Sequence, residues 1–237
     1  MTAQLPLRVG ELERRGLRDR VYDRILEMLL EGDVEPGSRL SIDTLAKQLD
    51  VSPTPVREAM VQLERTGLVT REALKGYRVA PPLGPEQLTE LFDARLMLEL
   101  EATRLAAPRA GQLLDELRRA QRQHQECADR VVEAMERGGD VPVRITQDYF
   151  DADSTFHRAI FVAAGNRYLI SMHEDLGAMT HRLRQAVLRG TSDVREAHAE
   201  HQRVLEALER RDAEAATAAM RAHIDGVRTR SLRESQD

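Results

Sequence analysis

Three observations predict a mainly α chain with an N-terminal winged helix-turn-helix domain and a C-terminal all-α antiparallel helical bundle. The run from Leu40 to Ala80 carries two short amphipathic helical patterns joined by a Ser/Pro-marked turn, followed by two β-type segments around Lys75-Gly76. Ala80-Pro81-Pro82-Leu83-Gly84-Pro85 then interrupts the pattern, since each proline bars helix continuation. Beyond it only helical periodicity recurs, broken at Pro108, Gly138-Gly139, Gly165-Asn166, Gly190-Thr191-Ser192 and Arg210-Arg211-Asp212. The expected division is residues 1–80 for the winged helix-turn-helix, 81–85 for a linker and 86–237 for the bundle.

The elements follow in order. A first helix is expected over about 17–31, because Leu17, Val21, Ile25 and Leu29 recur on one face. Gly32 and Glu35-Pro36-Gly37 end it. Ser41 is a natural N-cap for a second helix over about 42–49, with Ile42, Leu45, Ala46 and Leu49 inward. A third helix starts near Ser52. Pro53 and Pro55 suit its first turn, where amide protons lack helical partners, and Val56, Ala59, Met60 and Leu63 form its apolar stripe. Gly67 suits the position just past its end. Leu68–Thr70 and Tyr77–Val79 read as wing strands. Helices are then expected over about 85–107, 111–137, 143–164, 167–189, 193–210 and 213–233.

Bulk properties narrow the function classes. The chain of 237 residues is 41% hydrophobic and 32% charged, with aromatics at only 3% and no Trp. No apolar run approaches the ~20 residues that span a bilayer, and the N-terminal stretch lacks a secretory core. The single Cys127 cannot form an internal disulfide, so a reducing, cytoplasmic location is expected, with Cys127 an ordinary helix residue. The net charge of -5 is unevenly spread: residues 1–80 balance at 13 basic and 13 acidic side chains, so the deficit lies beyond them. Residues 52–80 tip positive through Arg57, Arg65, Arg71, Lys75 and Arg78, and a small DNA reader needs positive charge only where phosphates lie.

In a helix-turn-helix the second helix enters the major groove with its N-terminal residues on base edges. Those residues here are Ser52, Thr54, Arg57 and Glu58. Arg57 can fork onto guanine or hold a phosphate, while Ser52 and Thr54 can donate to phosphate near the helix N-terminus. Lys75, Gly76 and Tyr77 are expected at the wing tip, with Gly76 allowing close approach of the backbone. The alternative is that Arg57 pairs with an acidic neighbour and the hairpin serves structure alone. This module resembles the GntR family of bacterial transcription regulators. The likeness is carried by Pro36-Gly37, Leu40-Ser41, Leu45-Ala46, Val51-Ser52, Thr54-Pro55-Val56-Arg57-Glu58-Ala59, Leu63, Gly67-Leu68-Val69, Gly76 and Val79. Many members carry Arg where this chain has Pro53, so operator preference is expected to lean on Arg57, Thr54 and the wing.

Four residues of the bundle stand out by spacing. Asp153 and His157 are i, i+4 on one helix face. His201 and His223 lie on successive helices, each 11 residues from Asp212, which puts them at one level of an antiparallel pair. Three His and one Asp suit a divalent metal: zinc first, with nickel, manganese or iron as alternatives. The alternative is that the four are surface residues, and His198, one turn before His201, competes as a ligand. His124, His173 and His181 show no matching spacing and read as surface or packing residues. Arg95 sits on a helix that is apolar nearly all round and needs a partner, either Glu99 at i+4 or a ligand carboxylate.

The bundle resembles the FCD branch of the same family. The likeness rests on Arg95-x3-Glu99, Leu105-Ala106, Asp153-x3-His157, Gly165-Asn166, Glu200-His201, Ala207-Leu208, Asp212-Ala213, Ala216, Met220 and His223-Ile224. It implies that Asp153, His157, His201 and His223 bind a divalent metal beside a pocket for a small carboxylic acid, with Arg95 on the acid's carboxylate. It also implies a homodimeric regulator of the repressor type on a palindromic DNA operator. Two other classes remain open. One is a metal-dependent enzyme on the bundle, against which stands the lack of a His-Glu-x-x-His pattern. The other is a constitutive DNA-binding protein with a structural metal.

Overall fold

Helices and a small sheet alternate only at the start of the chain; from Pro85 onward the described backbone is helix and short turns. The structure, a computed structural model, describes residues 9–30, 34–72, 76–81, 83–112, 114–138, 141–184 and 191–234. Its backbone falls into two units, Met1–Pro82 and Leu83–Asp237.

The first unit holds α1 (Val9–Leu30), β1 (Arg39–Leu40), α2 (Ile42–Gln48), α3 (Pro53–Arg65), β2 (Val69–Glu72) and β3 (Gly76–Val79). Val21, Ile25 and Leu29 of α1 pack with Leu45, Val56, Ala59, Met60 and Leu63 in one core. Helix α1 starts eight residues before the periodicity suggested. Ser41 caps α2, its Oγ accepting from the Thr44 amide at 3.4 Å. Pro53 opens α3 at its first position, so the missing amide proton costs nothing there. Gly67, in the left-handed region at φ 72°, turns the chain out of α3.

The hairpin has a third strand that periodicity did not reveal, because two residues carry no alternation. The antiparallel order is β1-β3-β2, with Leu40 opposite Tyr77 and Val69 opposite Val79. Alternation along β3 exposes Gly76 and buries Tyr77 and Val79. Tyr77 therefore points into the core, 5% exposed, and not to the outer surface of the wing as expected. The period of two decides this: an exposed Gly76 forces its neighbour inward.

The second unit comprises α4 (Pro85–Ala106), a short 3-10 helix (Ala107–Gln112), α5 (Leu114–Glu136), α6 (Val143–Ala164), α7 (Arg167–Arg184), α8 (Thr191–Glu209) and α9 (Ala213–Glu234). Pro108 lies in the 3-10 segment that separates α4 from α5. The expected linker is shorter than 81–85: Leu83 packs against the bundle core and Pro85 is the first residue of α4. The Gly84 amide donates to Gln87 Oε1 at 3.2 Å, closing that helix start. Gly165 ends α6 in the left-handed region at φ 68°, and Asn166 Oδ1 accepts from the Tyr168 amide to start α7. Asp212 starts α9 in the same way, accepting from the Ala215 amide at 2.9 Å. The bundle core joins Phe92, Leu117, Phe156, Ile160, Phe161, Leu208, Met220 and Ile224. No described helix is long and apolar enough to cross a membrane.

Candidate metal centre and nucleic-acid interface

On α3 the residues expected to read DNA face outward. Ser52, Thr54, Arg57 and Glu58 are exposed while Val56 and Ala59 beside them are buried. Ser52 Oγ makes no cap bond, so it stays available. Arg57 makes no ion pair among the described residues; it lines an open groove of about 510 Å³ with Arg18, Glu58, Val61, Gln62 and Arg65. Of the wing residues, Gly76 is exposed at φ 87°, Tyr77 is buried, and Lys75 lies outside the described residues. Arg78 donates to Glu72 Oε1 and to the Gly37 carbonyl, so its charge serves the sheet.

In the second unit α6 contributes Asp153 and His157, α8 His201, and α9 His223. One ligand atom from each lies within 4.8 Å of all the others. His201 Nε2 stands 3.2 Å from His223 Nε2 and 3.4 Å from Asp153 Oδ1, and His157 Nε2 is 3.8 Å from Asp153 Oδ1. These are the spacings of donors that share one ion through bonds of ~2.0–2.2 Å. His157, His201 and His223 are buried, and Asp153 is half-buried. His198 stands outside this quartet: its Nδ1 meets Gln121 Nε2 at 3.0 Å.

Carboxylates behind two of the rings fix their orientation. His223 Nδ1 donates to Glu200 Oε2 at 2.8 Å, and Arg230 holds the same carboxylate with two nitrogens at 3.0 Å. His157 Nδ1 stands against Glu99 Oε2, while Glu99 Oε1 accepts from Arg95 Nε at 2.9 Å. A carboxylate on Nδ1 turns the Nε2 lone pair inward and raises its basicity, as metal-ligating histidines require. Burial pushes His201 well below the usual histidine range, and the neighbouring imidazoles push it the same way. Burial also lowers His223, against the opposing pull of Glu200. Neutral rings are the ligating form. With its proton on Nδ1 toward Glu200, His223 offers a bare Nε2, and His201 Nε2 at 3.2 Å donates to it in one tautomer and in the other presents a second bare nitrogen. In the second state three imidazoles and a carboxylate fit a divalent ion.

Arg95 is buried, with its guanidinium 5.8 Å from the Phe92 ring centre. Glu99 is its partner, and Glu99 also links it to His157. Burial would raise the Glu99 carboxyl, but His157 and Arg95 outweigh it and hold the group well below the usual range. The terminal amino groups of Arg95 make no hydrogen bond among the described residues, so they can still receive a ligand carboxylate.

Sequence reasoning missed three features. Glu200 lies 12 residues before Asp212 and His223 11 after it, so their meeting across the α8–α9 turn was open to the same counting that paired His201 with His223. Gly226 lies beside them: a Cβ there would lie 2.7 Å from Glu200 Oε1, so the carboxylate would have to move. His124 takes the packing alternative, but its place beside the quartet was not foreseen. It is buried, its ring centre 4.7 Å from that of His201 and 4.8 Å from that of Tyr149. Its signal is its register with Leu117, Ala120, Gln121, Cys127, Ala128 and Val131, the buried stripe of α5. Burial pushes His124 down to about 4, so the ring is neutral. His173 stacks on Phe161 as a packing residue, 4.2 Å between centres, and the His181 side chain lies outside the described residues.

The FCD domain family matches residues 90–226, and the family of bacterial regulatory proteins of the gntR type matches residues 17–79. This chain belongs to the GntR family of transcription regulators, in its FCD branch. Curated relatives agree. The chain is 30% identical to the HTH-type transcriptional repressor GlaR of Escherichia coli, over 83% of this chain and 87% of that protein. It is also 30% identical to the probable D-xylose utilization operon transcriptional repressor of Paenarthrobacter nicotinovorans, over 90% and 88%. Among solved structures, Escherichia coli McbR/YncC superposes with a TM-score of 0.63 at 27% identity, covering 88% of this chain and 93% of that one. As a GntR regulator the chain is a DNA-binding protein whose second unit carries an FCD domain.

Proposed function

We propose that this regulator is a cytoplasmic homodimeric repressor whose operator affinity is set by a small carboxylic acid bound at a divalent metal. The observation that carries the reading is the buried quartet of Asp153, His157, His201 and His223, with Arg95 tied to it through Glu99. The metal, zinc first among the candidates, would be held by the quartet and would offer open positions to the acid's oxygens. Arg95 would take the carboxylate through its remaining donors, a pairing that charge assistance strengthens. Ser52, Thr54, Arg57 and Glu58 would meet the major groove and Gly76 the adjacent backbone, with Lys75 beside it at the wing. Two copies related by a two-fold axis would read a palindromic operator. In this reading the site serves sensing and not turnover.

The test combines elemental analysis with operator titration. Purified protein should hold one divalent ion per chain, His201→Ala and His223→Ala should lose it, and a small acid should change the operator affinity of the wild type alone. A wild type without metal after reloading would remove the sensing site. Full metal in both variants would move the ligands elsewhere. A metal-loaded protein whose operator affinity no acid changes would make the ion structural.

A further inference from the structure

Beside the quartet, one turn of α5 carries two buried polar groups that the metal reading does not use. Among the described residues neither nitrogen of His124 has a hydrogen-bond partner, although the side chain is fully buried against His201. One turn earlier, Gln121 is also buried, and its Oε1 has no partner among the described residues. The orientation of that amide is settled by its other end. Gln121 Nε2 donates to the His198 carbonyl at 3.2 Å, and a carbonyl can only accept, so Oε1 is turned away from it. Residues three apart on a helix are neighbours on one face. Histidine and glutamine therefore share the buried stripe of α5, His124 against the His201 ring and Gln121 one turn earlier against His198.

The two groups make a defined demand. A neutral imidazole offers one N–H and one bare nitrogen, and Gln121 Oε1 offers a further acceptor. Leaving such groups unsatisfied in a protein interior is costly. Among the oxygen functions that a small acid carries, a carboxylate or keto oxygen only accepts and would answer the imidazole N–H alone. A hydroxyl both donates and accepts, and so answers the demand in both senses.

We propose that His124 and Gln121 form a hydroxyl-reading subsite beside the metal quartet, so that the chain selects a small hydroxy acid over the same acid without its hydroxyl. This rests on the acid-sensing reading above and names the class of acid. The carboxylate goes to Arg95 and the ion, the hydroxyl to α5. A pocket built to hydrogen-bond a hydroxyl rejects the analogue that lacks it, because its own polar groups are then left unpaired. His124 thus acts as a specificity residue, distinct from the ligands of the ion.

The test uses the full chain loaded with Zn²⁺ and calorimetric titration with three pairs: malate and succinate, lactate and propionate, 2-hydroxyglutarate and glutarate. Wild type should bind at least one hydroxy acid about tenfold or more tighter than its partner. His124→Phe should bring that pair to within about twofold and keep the zinc content of the wild type. His124→Asn, which retains a donor and an acceptor, should keep part of the preference, and it carries the test if the Phe variant does not fold. Three results overturn the subsite: a wild type that binds acids without preference, a preference that His124→Phe leaves intact, or loss of zinc in both variants, which would make His124 a ligand of the ion. If none of the six acids binds any loaded protein, the acid-sensing reading falls first and the subsite with it.

Discussion

On α3 the polar residues Ser52, Thr54, Arg57 and Glu58 lie in water, and Val56, Ala59, Met60 and Leu63 behind them do the packing. In the bundle Arg95, Glu99, His124, His157, His201 and His223 are themselves buried. The first arrangement separates recognition from stability, since an exposed side chain can change with little effect on the core. The second merges them. A buried charge is tolerated only while its partner stays, so each residue of the centre supports both the ligand and the fold.

The largest expected effect tests that merger. Glu99→Ala removes the carboxylate that Arg95 and His157 share and leaves a buried guanidinium without its counter-charge. Urea unfolding of the metal-free protein should show a loss of about 3–5 kcal/mol. A loss below about 0.5 kcal/mol, the size usual for surface substitutions, would place Glu99 in the same class as Arg57.

Acid should act on the bundle next. His124 is pushed from 6.5 down to about 4 by burial, so the unfolded chain binds a proton between those values that the folded chain refuses. Its contribution is complete above the unfolded value and is lost as pH falls from about 6.5 toward 4, amounting to about 3 kcal/mol. His201 and His223 are shifted in the same direction. Denaturant midpoints of the chelator-treated protein over this range should fall with pH. His124→Phe should flatten the slope, and a slope unchanged by that variant would mean that the ring charges freely in the folded state.

Arg57→Ala sharpens the other side of the comparison. It should weaken operator binding by about 1–3 kcal/mol and relax base preference, while stability moves by less than about 0.5 kcal/mol. Gel-shift titrations on operator and scrambled DNA, beside a melting curve, separate the two effects. Equal affinity with and without Arg57 would remove it from the interface.

The smallest effect comes from Gly226→Ala. The added Cβ would crowd Glu200 Oε1 at 2.7 Å and disturb its bond to His223. Metal affinity should drop about tenfold, the lower end for loss of such a supporting contact. A competition titration against a chromophoric chelator measures it, and unchanged affinity would show that Glu200 can shift without releasing His223.

Local chemistry made much of this molecule legible in advance. Periodicity, the capping serine Ser41, Pro53 at a helix start and the Gly165-Asn166 stop located most of the helices, because these preferences act within a few residues. The meeting of His201 and His223 was also readable, since a short turn converts equal sequence distance into equal height. What remained hidden depended on contacts between elements distant in sequence. Two-residue β1 exists only because β3 offers it hydrogen bonds, and Tyr77 turns inward because register in that sheet decides which face it takes. Glu99 meets His157 across 58 positions, and His124 meets His201 across 77. No local propensity encodes such pairings. They arise when the bundle closes, water leaves, and the charges and ring nitrogens brought inside meet the groups that the tertiary fold sets beside them.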